Sequence, residues 1–252
     1  MSGYSVFARY YDELTANIDY KGRAAYFGEL IKRFNKTDNN ILLDLACGTG
    51  SISEEMARQG FDVIGVDLSD EMLGIAIEKK FDSGLQIQYL RQDMRTIDMF
   101  GTIGVTLCAL DSINHLASPE DVRQVFERVA LFAEPQGLFI FDVNTLYKHR
   151  EVLANNTFTY ETDRVYCVWE NSLDPKTDEV RMDLVFFEQE ENGLWSRSSD
   201  SFSEKAYSEE LIERLLDESG LDLVAKYGED SFEPPKPDSQ RIVYVARSRK
   251  TE

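Results

Sequence analysis

Four acidic positions and one histidine, set at the ends of apolar stretches, are the residues of this chain best equipped for chemistry. Asp44 ends an uninterrupted apolar run from Ile41 and leads into Gly48-Thr49-Gly50, the pattern of a buried parallel strand that turns sharply into a helix. Gly48 and Gly50 permit a tight bend and let a ligand approach the main chain without a Cβ in the way. A dinucleotide would seat its pyrophosphate on such a bend, but a buried carboxylate just before it repels an anion and favours a cation. Ser53 stands where the third glycine of a G-x-G-x-x-G loop belongs, which weakens the dinucleotide reading further. Asp67 closes a second apolar run, Phe61 to Val66, where a carboxylate accepts hydrogen bonds from both hydroxyls of a ribose. Asp93 follows a third run, Gln86 to Leu90; taken alone it reads as a cap or a surface residue. Asp111-Ser112-Ile113-Asn114-His115 follows Ile103 to Ala109, at the carboxyl end of a central strand, where open α/β sheets bind ligands. Neutral His115 is able to take a proton from an acceptor, with Asp111 as the second candidate base; a structural or solvent-facing histidine is the competing reading.

The elements that must position these groups repeat as strand and helix. Ile52 and Met56 share a helical face that Gly60 ends. Ser69 caps a helix with Asp70 and Glu71 in its first turn, Lys79 and Lys80 in its last, and Met72, Leu73, Ala76 and Ile77 on its apolar face. Ser118-Pro119 opens another, with Val122, Val125, Phe126 and Val129 facing inward, and Pro135-Gln136-Gly137 turns the chain into a fifth strand, Leu138 to Val143. This is the rhythm of a doubly wound parallel sheet. Ahead of it, Phe27, Leu30, Ile31 and Phe34 mark one more helix face. Residues 1–20 are rich in aromatics (Tyr4, Phe7, Tyr10, Tyr11, Tyr20) without strand-like alternation.

The rhythm breaks between Thr157 and Ser203, where three antiparallel strands are predicted: Tyr160 to Asn171, Val180 to Glu188 and Leu194 to Phe202. Turns at Asp174-Pro175-Lys176-Thr177-Asp178 and Glu191-Asn192-Gly193 separate them. One face of this insertion is apolar, so it lies either over the open end of the main sheet or against a second copy of the chain. A helix capped by Ser208, with Leu211, Ile212, Leu215 and Leu216 inward, and two strands, Leu221 to Tyr227 and Arg241 to Arg247, complete the sequence.

The formal charge is −19, from 27 basic and 46 acidic side chains, so the average surface repels nucleic acid and anionic membranes. No run is apolar enough to span a bilayer and the N-terminus lacks a signal pattern; a soluble, cytoplasmic protein, monomer or homodimer, is expected. Cys47, Cys108 and Cys167 have no metal-ligand spacing and read as reduced thiols. No metal is expected.

S-adenosylmethionine carries an ammonium and a sulfonium but no phosphate, which suits a loop bearing Asp44. With Asp44, Gly48 and Gly50 in place the chain resembles the class I S-adenosylmethionine-dependent methyltransferases. The aromatic Phe7-Ala8-Arg9-Tyr10-Tyr11-Asp12 segment and the late β insertion resemble the subgroup that includes bacterial amino-sugar N,N-dimethyltransferases. The resemblance implies an α/β fold: a doubly wound, seven-stranded Rossmann-like sheet ending in a β-hairpin. Residues 1–150 and 204–252 would then form the cofactor domain, and 151–203 a cover over the acceptor site. It implies that Thr49 and the loop hold the amino-acid end of the cofactor, that Asp93 and Met94 hold adenine, and that Tyr11 closes over the ligand. Ala46, Leu68, Met72, Ala109 and Leu110 would line the same site, with His115 facing a small-molecule acceptor, possible amines among them. The residues alone leave open an NAD-dependent oxidoreductase and a cofactor-binding protein without turnover.

Overall fold

Residues 6–251 are described by a computed structural model of the chain. Seven strands form one sheet: β1 (Ile41–Leu45), β2 (Asp62–Asp67), β3 (Ile87–Arg91), β4 (Ile103–Cys108), β5 (Ala133–Asn144), β10 (Leu221–Gly228) and β11 (Arg241–Ser248). Their order across the sheet is β10-β11-β5-β4-β1-β2-β3. The first five run parallel, whereas β11 pairs antiparallel with β5 and β10 with β11. Strand order therefore reverses between β1 and β4, which opens a crevice at their carboxyl ends.

Side-chain alternation splits the apolar residues of the central strands between two layers. Leu43, Phe139, Phe141 and Tyr244 pack on one side with Val122, Val125, Phe126 and Val129 of α5 (Pro119–Phe132) and with Ile212, Leu215 and Leu216 of α6 (Glu209–Glu218). Leu42, Val105, Leu107, Ile140, Val243 and Val245 pack on the other with α2 (Tyr20–Phe34) and α3 (Ser51–Arg58), through Phe27, Leu30, Ile31 and Met56. Ser69 caps α4 (Asp70–Ser83) by accepting the Met72 N–H at 3.2 Å. Ile77, expected on its inward face, is 42% exposed. The helix also runs past Lys79 and Lys80 to a left-handed Gly84.

The insertion has four strands, not three: β6 (Thr157–Glu161), β7 (Val165–Asp174), β8 (Glu179–Gln189) and β9 (Trp195–Lys205). The first expected strand is cut by a turn in which the Thr162 hydroxyl accepts the Arg164 and Val165 N–H groups. Strand β9 also continues two residues beyond 203, so Glu204 belongs to this sheet. The fifth strand of the main sheet likewise begins at Ala133, before the expected turn, where its pairing with β4 shifts register and Gln136 turns left-handed.

Residues 7–14 form a helix, α1 (Phe7–Leu14), that strand-like alternation could not reveal. Phe7 and Tyr10 fill a third core with Val165, Cys167, Val180, Met182, Leu184 and Phe186. The apolar face of the insertion is thus covered from within the chain. Asp200 of β9 accepts the N–H groups of Val6 and Phe7 at 3.0 and 3.1 Å, holding the start of the helix against the sheet. Tyr4 lies outside the described residues. Because Phe186 stacks on both Tyr10 (4.9 Å) and Phe7 (6.2 Å) and is fully buried, Phe186→Ala is expected to destabilise the protein by about 3–5 kcal/mol, measured by urea unfolding. A change within error would show that α1 does not depend on this core.

Candidate active site

Strand β1 delivers a loop in which Ala46, Gly48 and Gly50 all have positive φ, at 60°, 54° and 76°. The two glycines are needed for different reasons. A Cβ on Gly48 would project into open space, whereas one on Gly50 would lie 2.2 Å from the Tyr89 hydroxyl. Gly48 therefore leaves main chain bare toward a cavity of about 540 Å³, and Gly50, which does not line that cavity, allows tight packing behind it. Asp67 fixes the loop: one carboxylate oxygen accepts the Gly48 N–H and the other the Ser69 N–H, each at 2.8 Å.

Ser53 turns out to be a partner of the acidic residue that precedes the loop. Its hydroxyl donates to Asp44 at 2.5 Å, and both side chains are buried. Burial is the main cause of an Asp44 carboxyl pushed up to about 6; the Ser53 hydrogen bond opposes the rise and the Asp67 charge adds to it. Asp67 is also raised, again by burial first, against hydrogen bonds from Ser69 and Gly48. Asp93, on the same cavity wall, is held low by hydrogen bonds from Arg95, whose other arm reaches Asp121 at 2.9 Å. Ala46, Thr49, Leu68, Met72, Met94, Ala109 and Leu110 line the cavity with these carboxylates. The Thr49 hydroxyl, expected to face a ligand, donates to Asp12 of α1 at 2.5 Å. Lys79 donates to the other Asp12 oxygen at 2.9 Å and to Ser51 at 2.7 Å. Tyr11, from the same helix, lines the cavity together with Tyr20.

After strand β4, Leu110 and Asp111 have φ of 58° and 54°, two consecutive left-handed residues without glycine and a locally strained turn. Asp111 does not line the cavity. It is paired with the largely covered Arg241 at 2.5 Å, and Arg241 also binds Asp142. Burial pushes the Asp111 carboxyl up, but Arg241, Lys148 and His115 outweigh it and hold it far below the usual range. A carboxylate so stabilised is a poor proton acceptor, so the role of base expected for Asp111 is not supported by its surroundings. His115, by contrast, lines the cavity at the end of a single 3₁₀ turn, Ser112–His115. Its Nε2 lies 3.9 Å from Oε1 of Glu204, a buried residue of β9 that the sequence reading passed over. Asn114 ties the two sheets together, donating to the carbonyls of Asn144 (3.1 Å) and Lys205 (2.9 Å) and accepting the Asn144 N–H at 2.8 Å. Asp111, His115 and Glu204 place donor atoms within 4.8 Å of one another, but the Arg241 and Lys148 charges beside Asp111 oppose a metal dication there.

Comparison with known proteins agrees with this geometry. Residues 42–137 match the family described as Methyltransferase domain. YqeM of Bacillus subtilis (strain 168), a methyltransferase by name, is 31% identical over 98% of each chain. The chain belongs to the methyltransferases. The crystal structure of an S-adenosylmethionine-dependent methyltransferase from Clostridium acetobutylicum ATCC 824 is 33% identical, covers 98% of this chain and 99% of its own, and superposes with a TM-score of 0.88. A third relative, the dTDP-3-amino-3,6-dideoxy-alpha-D-glucopyranose N,N-dimethyltransferase of Streptomyces fradiae, is 32% identical over 49% of this chain and 47% of its own. S-adenosylmethionine is thus the cofactor of this methyltransferase, and the oxidoreductase reading is set aside. The residues present fit it: bare main chain at Gly48 faces a cavity lined by Asp44 and Asp67 beside the loop, a setting that would repel a pyrophosphate and attract an ammonium and a sulfonium.

Asp67→Ala is expected to weaken S-adenosylmethionine binding by about tenfold or more, since a hydrogen bond to a charged group contributes about 1.5–3 kcal/mol; calorimetry giving wild-type affinity would remove Asp67 from the site. A cationic ligand prefers ionised Asp44, whose free carboxyl titrates at about 6. Affinity should therefore be constant above that pH and fall as the pH drops below it. A flat calorimetric profile through this window would sever Asp44 from cofactor recognition.

Proposed function

We propose that this methyltransferase transfers the methyl group of S-adenosylmethionine to the nitrogen of a small amine. The observation that carries the reading is the buried Glu204 carboxylate beside His115 on the cavity wall. A carboxylate and an imidazole suit an acceptor that arrives as an ammonium and must lose a proton before its lone pair is free. The N-methylating name of the Streptomyces fradiae relative points the same way.

Bound S-adenosylmethionine supplies a methyl group made electrophilic by the positive sulfur. The work left to the chain is alignment, exclusion of water and handling of the proton. Asp67 would hold the ribose, Asp93 and Met94 the adenine, and Asp44 with the loop N–H groups the amino-acid end. Tyr11 and Tyr20, both on the cavity wall, would offer aromatic surface to a cationic centre. The insertion, whose Phe202 and Glu204 line the cavity, would cover the acceptor. His115, on the cavity wall, takes the proton; Asp111 instead fixes the turn that carries it.

The test is a panel of small primary and secondary amines, alcohols and carboxylic acids at saturating S-adenosylmethionine, reading release of S-adenosylhomocysteine. Transfer to amines is expected, with His115→Asn lowering kcat by about 10²–10⁴-fold at neutral pH. Transfer confined to alcohols or carboxylates would overturn the amine reading.

A further inference from the structure

The chain contains two histidines, and Glu204 stands between them. Its Oε1 faces His115 Nε2 at 3.9 Å and its Oε2 faces His149 Nε2 at 3.8 Å. His149 sits in a single π-helical turn, Lys148–Leu153, with no exposed surface. Its Nδ1 lies 2.9 Å from the main-chain oxygen of Asp178. A carbonyl only accepts, so Nδ1 carries the proton and neutral His149 turns the bare lone pair of Nε2 toward Glu204. That nitrogen is buried and has no hydrogen-bond partner among the described residues. A lone pair facing an ionised carboxylate in a buried pocket is costly, and the cost disappears when one proton lies between the two.

We infer that His115, Glu204 and His149 form a proton relay that removes the proton of an ammonium acceptor from the cavity and stores it on the buried Glu204–His149 pair. The inference rests on the amine reading for its substrate, but the relay itself is built from the chain's own residues. In the outward step the N–H bond of the ammonium breaks, its electron pair stays on nitrogen, and the proton passes to His115. The resting Glu204–His149 pair already shares one proton on its Oε2 side; as His115 hands a proton to Glu204 Oε1, that shared proton shifts onto His149 Nε2, leaving the acceptor neutral and the relay one proton richer. Each gap closes to hydrogen-bond length with an approach of about 1 Å.

The surroundings favour a pair that exchanges one proton over a fixed ion pair. Burial raises the Glu204 carboxyl, with Asp111 adding to the rise while His115, the Asn144 hydrogen bond and Lys148 oppose it. Burial lowers His149, against the hydrogen bond to Asp178, with Lys148 adding to the drop and the Asp111 and Asp178 charges opposing it. The Asn144 amide donates to Glu204 Oε2 at 3.0 Å and so holds the carboxylate in line. Arg241 stays engaged with Asp111 and Asp142, and the Asp178 carboxylate pairs with Arg150 at 2.7 Å.

Long-range ¹H–¹⁵N correlation of the full-length, ligand-free enzyme labelled with ¹⁵N-histidine tests this without any acceptor, so its failure is distinct from failure of the amine panel. Two imidazoles are observed and His115→Asn assigns them. The relay requires His149 as the Nδ1–H tautomer, with an Nε2 shift between those of a bare and a protonated nitrogen. Glu204→Gln is expected to move that shift to the bare value and lower the protonation midpoint of His149 by about 0.5 pH unit or more, through loss of the facing charge. Glu204→Asp should restore part of both. His115→Asn should also displace the His149 Nε2 signal, and it carries the test should Glu204→Gln fail to fold. An Nε2–H tautomer in the wild type, or a His149 signal indifferent to these variants, overturns the relay.

Discussion

The pairing of Arg241 with Asp111 and Asp142 is the interaction on which the His115 side of this molecule depends. A guanidinium cannot be buried without anions, and removing one partner of a buried pair typically costs about 3–5 kcal/mol because a charge is left stranded. Here the cation comes from the last strand, β11, one anion from β5 and the other from the turn after β4. Arg23 of α2 meets the same Asp142 at 3.3 Å and Asp230 at 3.0 Å. Five parts of the chain are therefore joined in one charge network, and the strained Leu110–Asp111 turn persists because its carboxylate is needed there. The turn in turn aims Asn114 at the second sheet and His115 at the cavity.

Environment, not residue type, divides the labour among the carboxylates. Asp67 receives two main-chain N–H groups and becomes part of the loop it steadies. Asp44 is buried with a single hydroxyl partner and stays electrostatically hungry for a cation. Asp93 is neutralised by Arg95, and Asp111 by Arg241. Glu204 alone stands between two imidazoles in a buried setting, which is the surrounding of a group that exchanges a proton.

Helix α1 joins the two halves. Its first residues are held by Asp200 of the insertion, and Asp12 near its end binds Thr49 of the cofactor loop and Lys79 of α4. Phe7 and Tyr10 anchor it in the core beneath the insertion while Tyr11 turns to the cavity. Order at the glycine loop and order at the four-stranded sheet are thereby mechanically linked through one short helix.

The sequence by itself determined the doubly wound sheet, the strand-loop-helix carrying Asp44, Gly48 and Asp67, and the caps at Ser69, Ser118 and Ser208. These follow from local periodicity and from residues that bond within a few positions of themselves. It also pointed to Ser53 as a departure from a dinucleotide loop, though only the structure shows that hydroxyl bound to Asp44. Tertiary structure alone decided the rest. Helix α1 was hidden because its apolar residues answer to a sheet more than a hundred and fifty residues away. Asp111 looked like a base until Arg241 arrived from the far end of the chain. Glu204 reads as an ordinary polar residue after a serine-rich strand, and only its burial between His115 and His149 gives it chemistry. The physical reason is common to all three: charge state and burial depend on neighbours in space, and a linear pattern records only neighbours in sequence.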